Sequence, residues 1–412
     1  MQRHNSATLL LLGLLVYTCG ARNILDGPTA TYGPETSSAT PPYPTTGPGP
    51  TTSPQPATAT TPPPVVVNQC DCTDKNIWLD IFFIIDASFA MTSTGFDGAT
   101  SFVESLLYKM TIGQANAQQT RAAFITYSAN AQMLYNLSYW QSTDDMINNM
   151  DLPYSGTRGT NIEAAIKLAT SNMVAPDHRP NAQGVIVILA SAYENGGYND
   201  PTEAADTFKA DGNTIITIEY VQEHGAEVPQ LNKLASPGYS FTNRFGNLTA
   251  EQIRQSFCKV NCFCPTNYNS YTEGDPITPY GGCYRTVPIS AIQTLAAKNC
   301  RQHHNGLLAK VESRDKSTFL STLFPSKTKF WIGLKFDTAG NAYQWADGTY
   351  LSSSDFQMWA PGYPFAASGY CVYQYQYQGF SSGWFNDDCG DDWQYVCQST
   401  PCSADNYCAT RD

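Results

Sequence analysis

The sequence predicts two folded domains, an α/β doubly wound parallel sheet followed by an α+β, disulfide-rich domain. Three observations within the 412 residues predict this order. From Ile77 to Cys258, stretches of strand-like and helical patterning alternate, which is typical of an open parallel sheet with helices on both faces. Beyond Cys258 the cysteines become dense, and Tyr and Trp are frequent. Before Ile77 the chain is rich in Thr and Pro, so no packed core is expected there.

The first residues are typical of a secretory signal peptide. A basic start precedes an apolar core from Leu9 to Tyr17, and the small residues Gly20 and Ala21 follow it. This core is shorter than the ~20 apolar residues that a membrane span needs. We therefore expect residues 1–21 to be a signal peptide and the product to be secreted and extracellular, without a transmembrane anchor. A buried amphipathic helix is the alternative.

Residues 22–69 predict a mucin-like stalk. Residues 28–64 contain twelve Pro, eleven Thr and three Ser but one charged residue, Glu35. Such a segment cannot bury enough apolar surface to offset chain entropy, and its hydroxyl groups invite O-linked sugars. A plain disordered linker is the alternative interpretation.

The first folded domain is expected over residues 70–261. Its first strand, Leu79–Asp86, is apolar on consecutive positions, as a strand covered on both faces would be. Ser142, with Asp145 three residues later, predicts the cap of a helix in "TDDMINNM". The other predicted elements are helices over Phe96–Met110, Asn161–Met173 and Leu248–Phe257, a helix opened by Asp200 and Pro201, and strands that begin at Arg121, Gly184 and Asn213.

The second domain is expected over residues 262–400, with a tail of residues 401–412. Helices are predicted over Pro288–Gln302 and Glu312–Phe324, followed by short aromatic strands. Twelve cysteines remain after the signal peptide, and this even number indicates disulfides rather than zinc in an exported chain. Two bridges that join the ends of the first domain are expected among Cys70, Cys72, Cys258 and Cys262, and their pairing stays open. Another bridge, Cys402–Cys408, is expected to close a small loop in the tail.

Asp86 and Ser88 stand at the carboxyl end of the first strand, where open parallel sheets bind ligands. Residues 77–258 resemble the von Willebrand factor type A domain. The metal-dependent adhesion site of that family uses Asp-x-Ser-x-Ser after the first strand, a Thr from a later loop and an Asp at the end of the fourth strand. Asp86, Ser88 and Thr160 match this pattern.

Two positions of that adhesion site differ here. Ala90 replaces the second serine, and Ser191 replaces the strand-ending aspartate. Magnesium is held by near-octahedral, mostly anionic oxygen ligands, so the loss of a hydroxyl and of a carboxylate implies a degenerate site without an ion. Asp86 and Ser88 would then hydrogen-bond loop amides. Mg²⁺ bound with the help of Glu194 is the alternative.

Residues 262–398 carry several motifs in one order and resemble a C-type lectin-like domain. The motifs are "GLLAKVESRD", "WIGL", "WADG", "WFNDDC" and "YVC". The family's disulfide pairings imply three bridges here, namely Cys300–Cys397, Cys371–Cys389 and Cys264–Cys283.

Sugar-binding members of that family hold calcium with a Glu-Pro-Asn or Gln-Pro-Asp loop and with an Asn-Asp pair after a late Trp. The loop reads Tyr363-Pro364-Phe365 here, and Phe385 and Asn386 follow Trp384 in "WFNDDC". Calcium needs six to eight oxygen ligands, several of them anionic, so the sequence predicts no bound Ca²⁺. Asp387 and its acidic neighbours are interpreted as a solvated edge, and Ca²⁺ binding remains the alternative.

Tyr373, Tyr375 and Tyr377 alternate with glutamines, so a strand would present the three tyrosines on one face. They either seal the core as a half-buried strand or form an aromatic platform for sugar rings or a protein partner. The candidate ligand-binding residues are Tyr363, Pro364, Tyr373, Tyr375, Tyr377, Asn386 and Asp387.

The remaining features exclude several function classes. The net charge of −12, without any basic run, argues against nucleic acid and anionic membranes as partners. No catalytic motif of a hydrolase, metalloprotease or phosphate-binding loop occurs, so an enzyme is not expected. Asn136 and Asn247 begin N-glycosylation signals, which suits an exported protein.

These observations predict a secreted, non-catalytic recognition or adhesion protein that binds protein or glycan ligands without a metal cofactor. The order of the stalk and the two domains resembles secreted C-type lectins expanded in nematodes. This resemblance implies roles at epithelial surfaces in innate responses to microbes. The alternatives are a calcium-dependent carbohydrate-binding lectin and a structural component of the extracellular matrix.

Overall fold

The computed structural model describes residues 69–173, 177–193, 199–221, 228–273, 275, 277–377 and 381–409. The predicted signal peptide and nearly all of the predicted stalk lie outside the described residues. Within them, no helix is both long and apolar enough to cross a membrane. The described chain contains one six-stranded and one eight-stranded sheet.

The first sheet belongs to the α/β domain, and its strand order is β3-β2-β1-β4-β5-β6. All neighbouring strands are parallel except β3, which pairs antiparallel with β2. The elements are β1 (Leu79–Asp86), α1 (Ser93–Leu107), β2 (Arg121–Tyr127), β3 (Ala131–Tyr135), α2 (Thr143–Asn149), α3 (Ile162–Met173), β4 (Gln183–Ala190), α4 (Thr202–Ala210), β5 (Thr214–Glu219), β6 (Ser240–Thr242) and α5 (Ala250–Val260).

Strand β1 is buried along its whole length because helices cover both faces of the sheet. Its side chains alternate between two cores, with Phe83 packing in the core that includes α1 and α5, and Phe82 in the core that includes α3 and α4. The unbroken apolar run of the sequence therefore reflects two apolar environments, and this confirms the predicted fold class.

The second sheet has the order β13-β12-β10-β14-β8-β7, with β11 paired to β10 and β9 to β14. The helix predicted from Pro288 begins only at Gln293, because Ala291 still pairs with Trp393 of the neighbouring strand. The elements are β7 (Asn269–Ser270), β8 (Cys283–Ala291), α6 (Gln293–Gln302), β9 (Leu307–Leu308), α7 (Arg314–Thr322), β10 (Phe330–Asp337), β11 (Ala342–Trp345), β12 (Cys371–Gln376), β13 (Ser382–Asp387) and β14 (Trp393–Ser399).

Six disulfides crosslink the described part of the chain. Two of them join the ends of the α/β domain, and the structure settles the pairing that the sequence leaves open. The lectin-like part contains the three pairs that the family resemblance implies. The bridges are Cys70–Cys262, Cys72–Cys258, Cys264–Cys283, Cys300–Cys397, Cys371–Cys389 and Cys402–Cys408.

The segment after β14 returns to the α/β domain and packs on Trp78, which is fully buried. The indole N–H of Trp78 donates to the Ser403 carbonyl (2.8 Å), and the Asn181 amide donates to the Cys408 carbonyl (3.0 Å). Phe263 and Cys402 exchange two backbone hydrogen bonds of 3.0 and 2.9 Å. We call this pairing the neck, because the chain enters and leaves the second domain there.

Candidate functional site

The fully buried Asp86 joins the ends of β1 and β4. Its Oδ1 accepts a hydrogen bond from the Ser88 N–H (2.9 Å). Its Oδ2 accepts two, from the Ser191 N–H (3.1 Å) and the Ser191 hydroxyl (2.7 Å). The carboxylate therefore acts as a local crosslink at the edge of the sheet where the sequence predicts the degenerate adhesion site.

The other residues of this site give a mixed result for magnesium. The Ser88 hydroxyl is buried and has no partner among the described residues, so this oxygen is available as a ligand. Thr160 is partly exposed, and the described hydrogen bonds do not join its hydroxyl to Asp86. Gly159, with φ of +118°, lets its loop pass close to Ala129, where an added Cβ would lie 2.8 Å from the Ala129 Cα.

The donor set does not fit Mg²⁺. It offers one carboxylate, and one oxygen of that carboxylate already accepts two hydrogen bonds from Ser191. Ala90 supplies no oxygen, and Glu194 lies outside the described residues. Because Mg²⁺ demands near-octahedral oxygen ligation, Ser88 and Thr160 cannot make up the difference. No group of three or more His, Cys, Asp or Glu in the described part of the chain could hold a metal ion.

An exposed aromatic side chain stands beside this crosslink. Phe89 is 63% exposed, and the Arg158 guanidinium lies 5.7 Å from the centroid of its ring. The backbone N–H of Phe89 donates to the Thr157 carbonyl (2.8 Å), which anchors the main chain at this position. The sheet edge therefore presents an apolar ring and a cation to solvent.

In the second domain, Asn386 holds the loop that contains Tyr363 and Pro364, which are joined by a cis peptide bond. The side chain is 2% exposed; its Oδ1 accepts from the Phe365 N–H (2.8 Å), and its Nδ2 donates to the Phe365 and Gly369 carbonyls (2.8 and 2.7 Å). Both N–H groups of this amide and one lone pair of its oxygen are therefore used within the protein. With Tyr363 and Phe385 as neighbours, these donors do not fit Ca²⁺.

Phe385 is the centre of an aromatic cluster. Its ring stacks on Tyr373, with ring centroids 5.3 Å apart and planes at 9°. Three more tyrosine rings meet it edge-on or tilted at centroid distances of 4.7 to 6.1 Å, namely Tyr363, Tyr375 and Tyr377. We define the Phe385 cluster as these five residues.

The three tyrosines predicted on one face of the strand differ in burial. Tyr373 is 6% exposed and packs against Trp331 in the core, so it has the sealing role, whereas Tyr375 and Tyr377 are partly exposed. Burial first, and Asp387 second, raise the pKa of the Tyr373 hydroxyl well above its usual range. The strand is thus buried at Tyr373 and partly exposed at Tyr375 and Tyr377, and the aromatic platform stays a prediction.

A groove of about 400 Å³ adjoins the Phe385 cluster. Lys329 connects the two, because its Nζ lies 4.0 Å from the Trp393 ring centroid and 4.7 Å from that of Tyr373. Partial burial raises the pKa of Asp387, to which the nearby Asp391 contributes. The groove is lined by Ser290, Lys327, Thr328, Lys329, Tyr375, Trp393 and Gln394.

Sequence reasoning missed Phe385 as the organising residue, as well as Lys329 and Trp393. In the sequence, Phe385 is recognisable only as a residue that replaces a calcium ligand of the family. Its contact with Tyr373 depends on the register of β12 and β13. Asn136 and Asn247, the predicted glycosylation sites, are both exposed.

The sequence matches two family models, the von Willebrand factor type A domain over residues 80–255 and the Lectin C-type domain over residues 291–399. C-type lectin domain-containing protein 160 of Caenorhabditis elegans is 26% identical over 373 residues, which make up 85% of this chain and 58% of that protein. Lactose-binding lectin l-2 of Anguilla japonica is 40% identical over 68 residues, 16% of this chain and 40% of that lectin. Human lithostathine covers 33% of this chain and 99% of its own, at 25% identity and a TM-score of 0.28.

Proposed function

Because the chain combines a von Willebrand factor type A domain with a C-type lectin domain, we propose that it is a secreted, non-catalytic recognition protein that binds glycans without a metal ion. The Phe385 cluster carries this proposal. Phe385 and Tyr363 stand where the family places calcium ligands, and their rings lie 4.7 Å apart. The family's ion site is thus replaced by an aromatic surface.

An aromatic surface can bind sugar by a different physical mechanism. Aromatic rings offer apolar area to the C–H faces of a sugar, and tyrosine adds a hydroxyl that can hydrogen-bond. Tyr363, Tyr375 and Tyr377 are partly exposed and share Phe385 as a packing partner, so their positions are fixed before a ligand arrives. The eel relative is named for lactose binding, which supports a glycan as the ligand class.

A glycan array with and without a chelator tests the proposal. We expect binding that a chelator leaves unchanged and that Tyr363→Ala, Tyr377→Ala and Phe385→Ala each weaken. Tyr108→Ala is the matched control, because Tyr108 is an exposed aromatic side chain of the other domain. Thermal melts show whether each variant is folded. Binding that the chelator abolishes would instead support the calcium-dependent alternative.

Export and contact with microbial surfaces complete the proposal. Six disulfides are typical of an oxidising compartment, and the family resemblance suggests innate responses to microbes. Expression with an affinity tag after residue 409 would show whether the protein reaches the medium. Retention of the protein inside cells would contradict export.

A second candidate function is adhesion to an extracellular protein through the α/β domain, acting as a matrix component. The exposed Phe89 with Arg158 beside it favours this role, since aromatic and arginine side chains are enriched in protein interfaces. Binding to immobilised extracellular matrix should then fall in Phe89→Ala and remain in Phe385→Ala. Equal binding by wild type and Phe89→Ala would exclude this surface.

A further inference from the structure

We propose that the groove beside the Phe385 cluster binds an acidic sugar, one that carries a sulfate or carboxylate group. This inference rests on the proposed glycan binding and names the class of glycan. The groove has about 400 Å³ of space and is lined by two lysines, two aromatic residues and three neutral polar residues. None of the described residues that line it is a carboxylate, although the chain as a whole carries a net charge of −12. The groove lining is therefore positively charged, whereas the molecule as a whole is negatively charged.

The two lysines are placed to meet an anion. Lys327 is exposed, and Lys329 is partly buried with its ammonium group over the Trp393 ring. Among the described residues, no carboxylate lies within 4.0 Å of either ammonium group. Stacking on Trp393 and Tyr373 restrains the Lys329 side chain, so less conformational entropy is lost when an anion binds.

The rest of the lining favours a sugar over an acidic peptide. Trp393 and Tyr375 provide ring surface, while Ser290, Thr328 and Gln394 provide hydroxyl and amide groups for sugar hydroxyls. The groove also continues into the Phe385 cluster through Tyr375, which belongs to both.

Nearby acids limit the strength of the interaction. Asp387 lies within electrostatic range of Lys329, and Asp391 lies beside Asp387. Both acids are outside the groove lining, so they reduce the positive potential at Lys329 without blocking the groove. We therefore expect selectivity to need both lysines and to weaken as salt screens their charge.

Lactose, sulfated lactose and sialylated lactose test the inference, because they share one neutral core. Calorimetric titration of the full chain at low and physiological salt should show sulfated or sialylated lactose binding roughly three- to tenfold more tightly than lactose, as expected for two partly exposed charge pairs. The sulfated and sialylated arms distinguish a sulfate from a carboxylate ligand. Lys327→Gln with Lys329→Gln should abolish the preference, so that the acidic sugars bind this variant no more tightly than lactose does. Lys298→Gln with Lys335→Gln is the control, since both lysines are exposed elsewhere on the domain.

Three results would overturn the inference. If all three sugars bound equally and Phe385→Ala weakened each of them, the acidic-sugar groove would be wrong while metal-independent glycan binding stood. If poly-glutamate bound more tightly than the acidic sugars and needed the same two lysines, the ligand would be an acidic peptide instead. Retained preference in the lysine variant, with normal melting temperature, would also place the anion elsewhere.

Discussion

At the scale of single residues, Ser191 shows how a metal-binding edge becomes a hydrogen-bonded one. The family pattern has an aspartate at this position, and the serine hydroxyl instead donates to Asp86 Oδ2 at 2.7 Å. A neutral donor satisfies the carboxylate that an ion would otherwise neutralise. The buried Ser88 hydroxyl keeps an unused oxygen beside it.

Restoring the missing donors should restore ion binding. Ser191→Asp with Ala90→Ser adds a carboxylate and a hydroxyl beside Asp86, Ser88 and Thr160, which completes the family's ligand set. We expect calorimetry to show Mg²⁺ binding that wild type lacks. Ser191→Asn with Ala90→Ser is the uncharged control. Equal heats for these two variants would show that the loop cannot place its oxygens around an ion.

Asp80 forms a buried ion pair at the other end of β1. The carboxylate accepts from the Arg179 Nε and Nη2 (2.9 and 2.6 Å) and from the backbone N–H of Arg179, and it contacts His178 Nδ1 (2.9 Å). Burial alone would raise the pKa of Asp80, but His178 and Arg179 together lower it below its usual value. The folded protein therefore favours the charged form.

This pair predicts a pH dependence of stability. Because the pKa of Asp80 is lower in the folded state than in the unfolded state, its contribution is complete above about pH 4 and is lost as the pH falls further. Asp80→Asn should cost about 3 to 5 kcal/mol of unfolding free energy at pH 7, since it leaves Arg179 buried without its charge partner. Urea unfolding at pH 7 measures this loss of unfolding free energy, and urea unfolding at pH 3 shows how much of the loss disappears when Asp80 is protonated. The exposed Asp211→Asn is the control, and a pH-independent difference would contradict this role.

Single residues were only partly predictable from the sequence. The replacements at Ala90 and Ser191 follow from aligning the chain with a pattern, and the loss of donors is visible without coordinates. The roles of Phe385 and Lys329 are not visible in the sequence, because their partners lie on other strands. Such contacts depend on which strands pair and in what register, and the pattern of a single strand does not show its partner.

At the scale of elements, helix α5 begins with a complete capping box. The Thr249 hydroxyl accepts from the Gln252 N–H (3.3 Å), and Gln252 Oε1 accepts from the Thr249 N–H (2.9 Å). Thr249 is also the third residue of the Asn247 glycosylation signal, so one side chain can serve the helix and the glycan.

Substitutions separate these two roles. Thr249→Ala should lower the free energy of unfolding by about 1 kcal/mol through loss of the cap. Thr249→Ser should retain both the cap and the signal, whereas Asn247→Gln removes the signal alone. Denaturant unfolding of protein made without glycosylation isolates the cap, and equal stability of the Ala and Ser variants would show that the cap contributes little.

Elements with a clear period were predictable, and short or half-exposed ones were not. The buried strands β1 and β4 and the helix α3 lie within a residue or two of the predicted positions. Strand β3 was missed because it lies at the sheet edge and is only partly buried, so it has no continuous apolar run. Helix α1 begins three residues before its predicted start, because Thr92 caps it by accepting from the Gly95 N–H.

At the scale of the whole molecule, the segment after β14 is part of the base of the α/β domain. The predicted tail loop is closed by Cys402–Cys408, but its packing on Trp78 was not predictable, since a short polar segment carries no pattern that names its partner. The even number of cysteines predicts that disulfides form. The contact between the tail and the start of β1, in contrast, is visible only in the folded structure.

Opening this loop should loosen the base of the α/β domain. Cys402→Ser with Cys408→Ser should cost about 2 kcal/mol, as expected from the loop entropy of a small disulfide ring. Hydrogen exchange should rise at residues 77–79 and 402–408. Tyr407→Phe is a milder test, because it removes one of the acceptors of the Asn181 amide and keeps the ring. Unchanged exchange at Trp78 would show that the packing survives without the bridge.

The neck determines how the molecule would respond to a pull. A force on the second domain would draw it away from the α/β domain, and the load would reach Phe263 and Cys402 side by side. Cys262 precedes Phe263 in the chain and is bonded to Cys70, so a force that strains this pairing also passes into a covalent bond at the start of the α/β domain. The two backbone hydrogen bonds and the disulfide would thus share any load that the second domain receives.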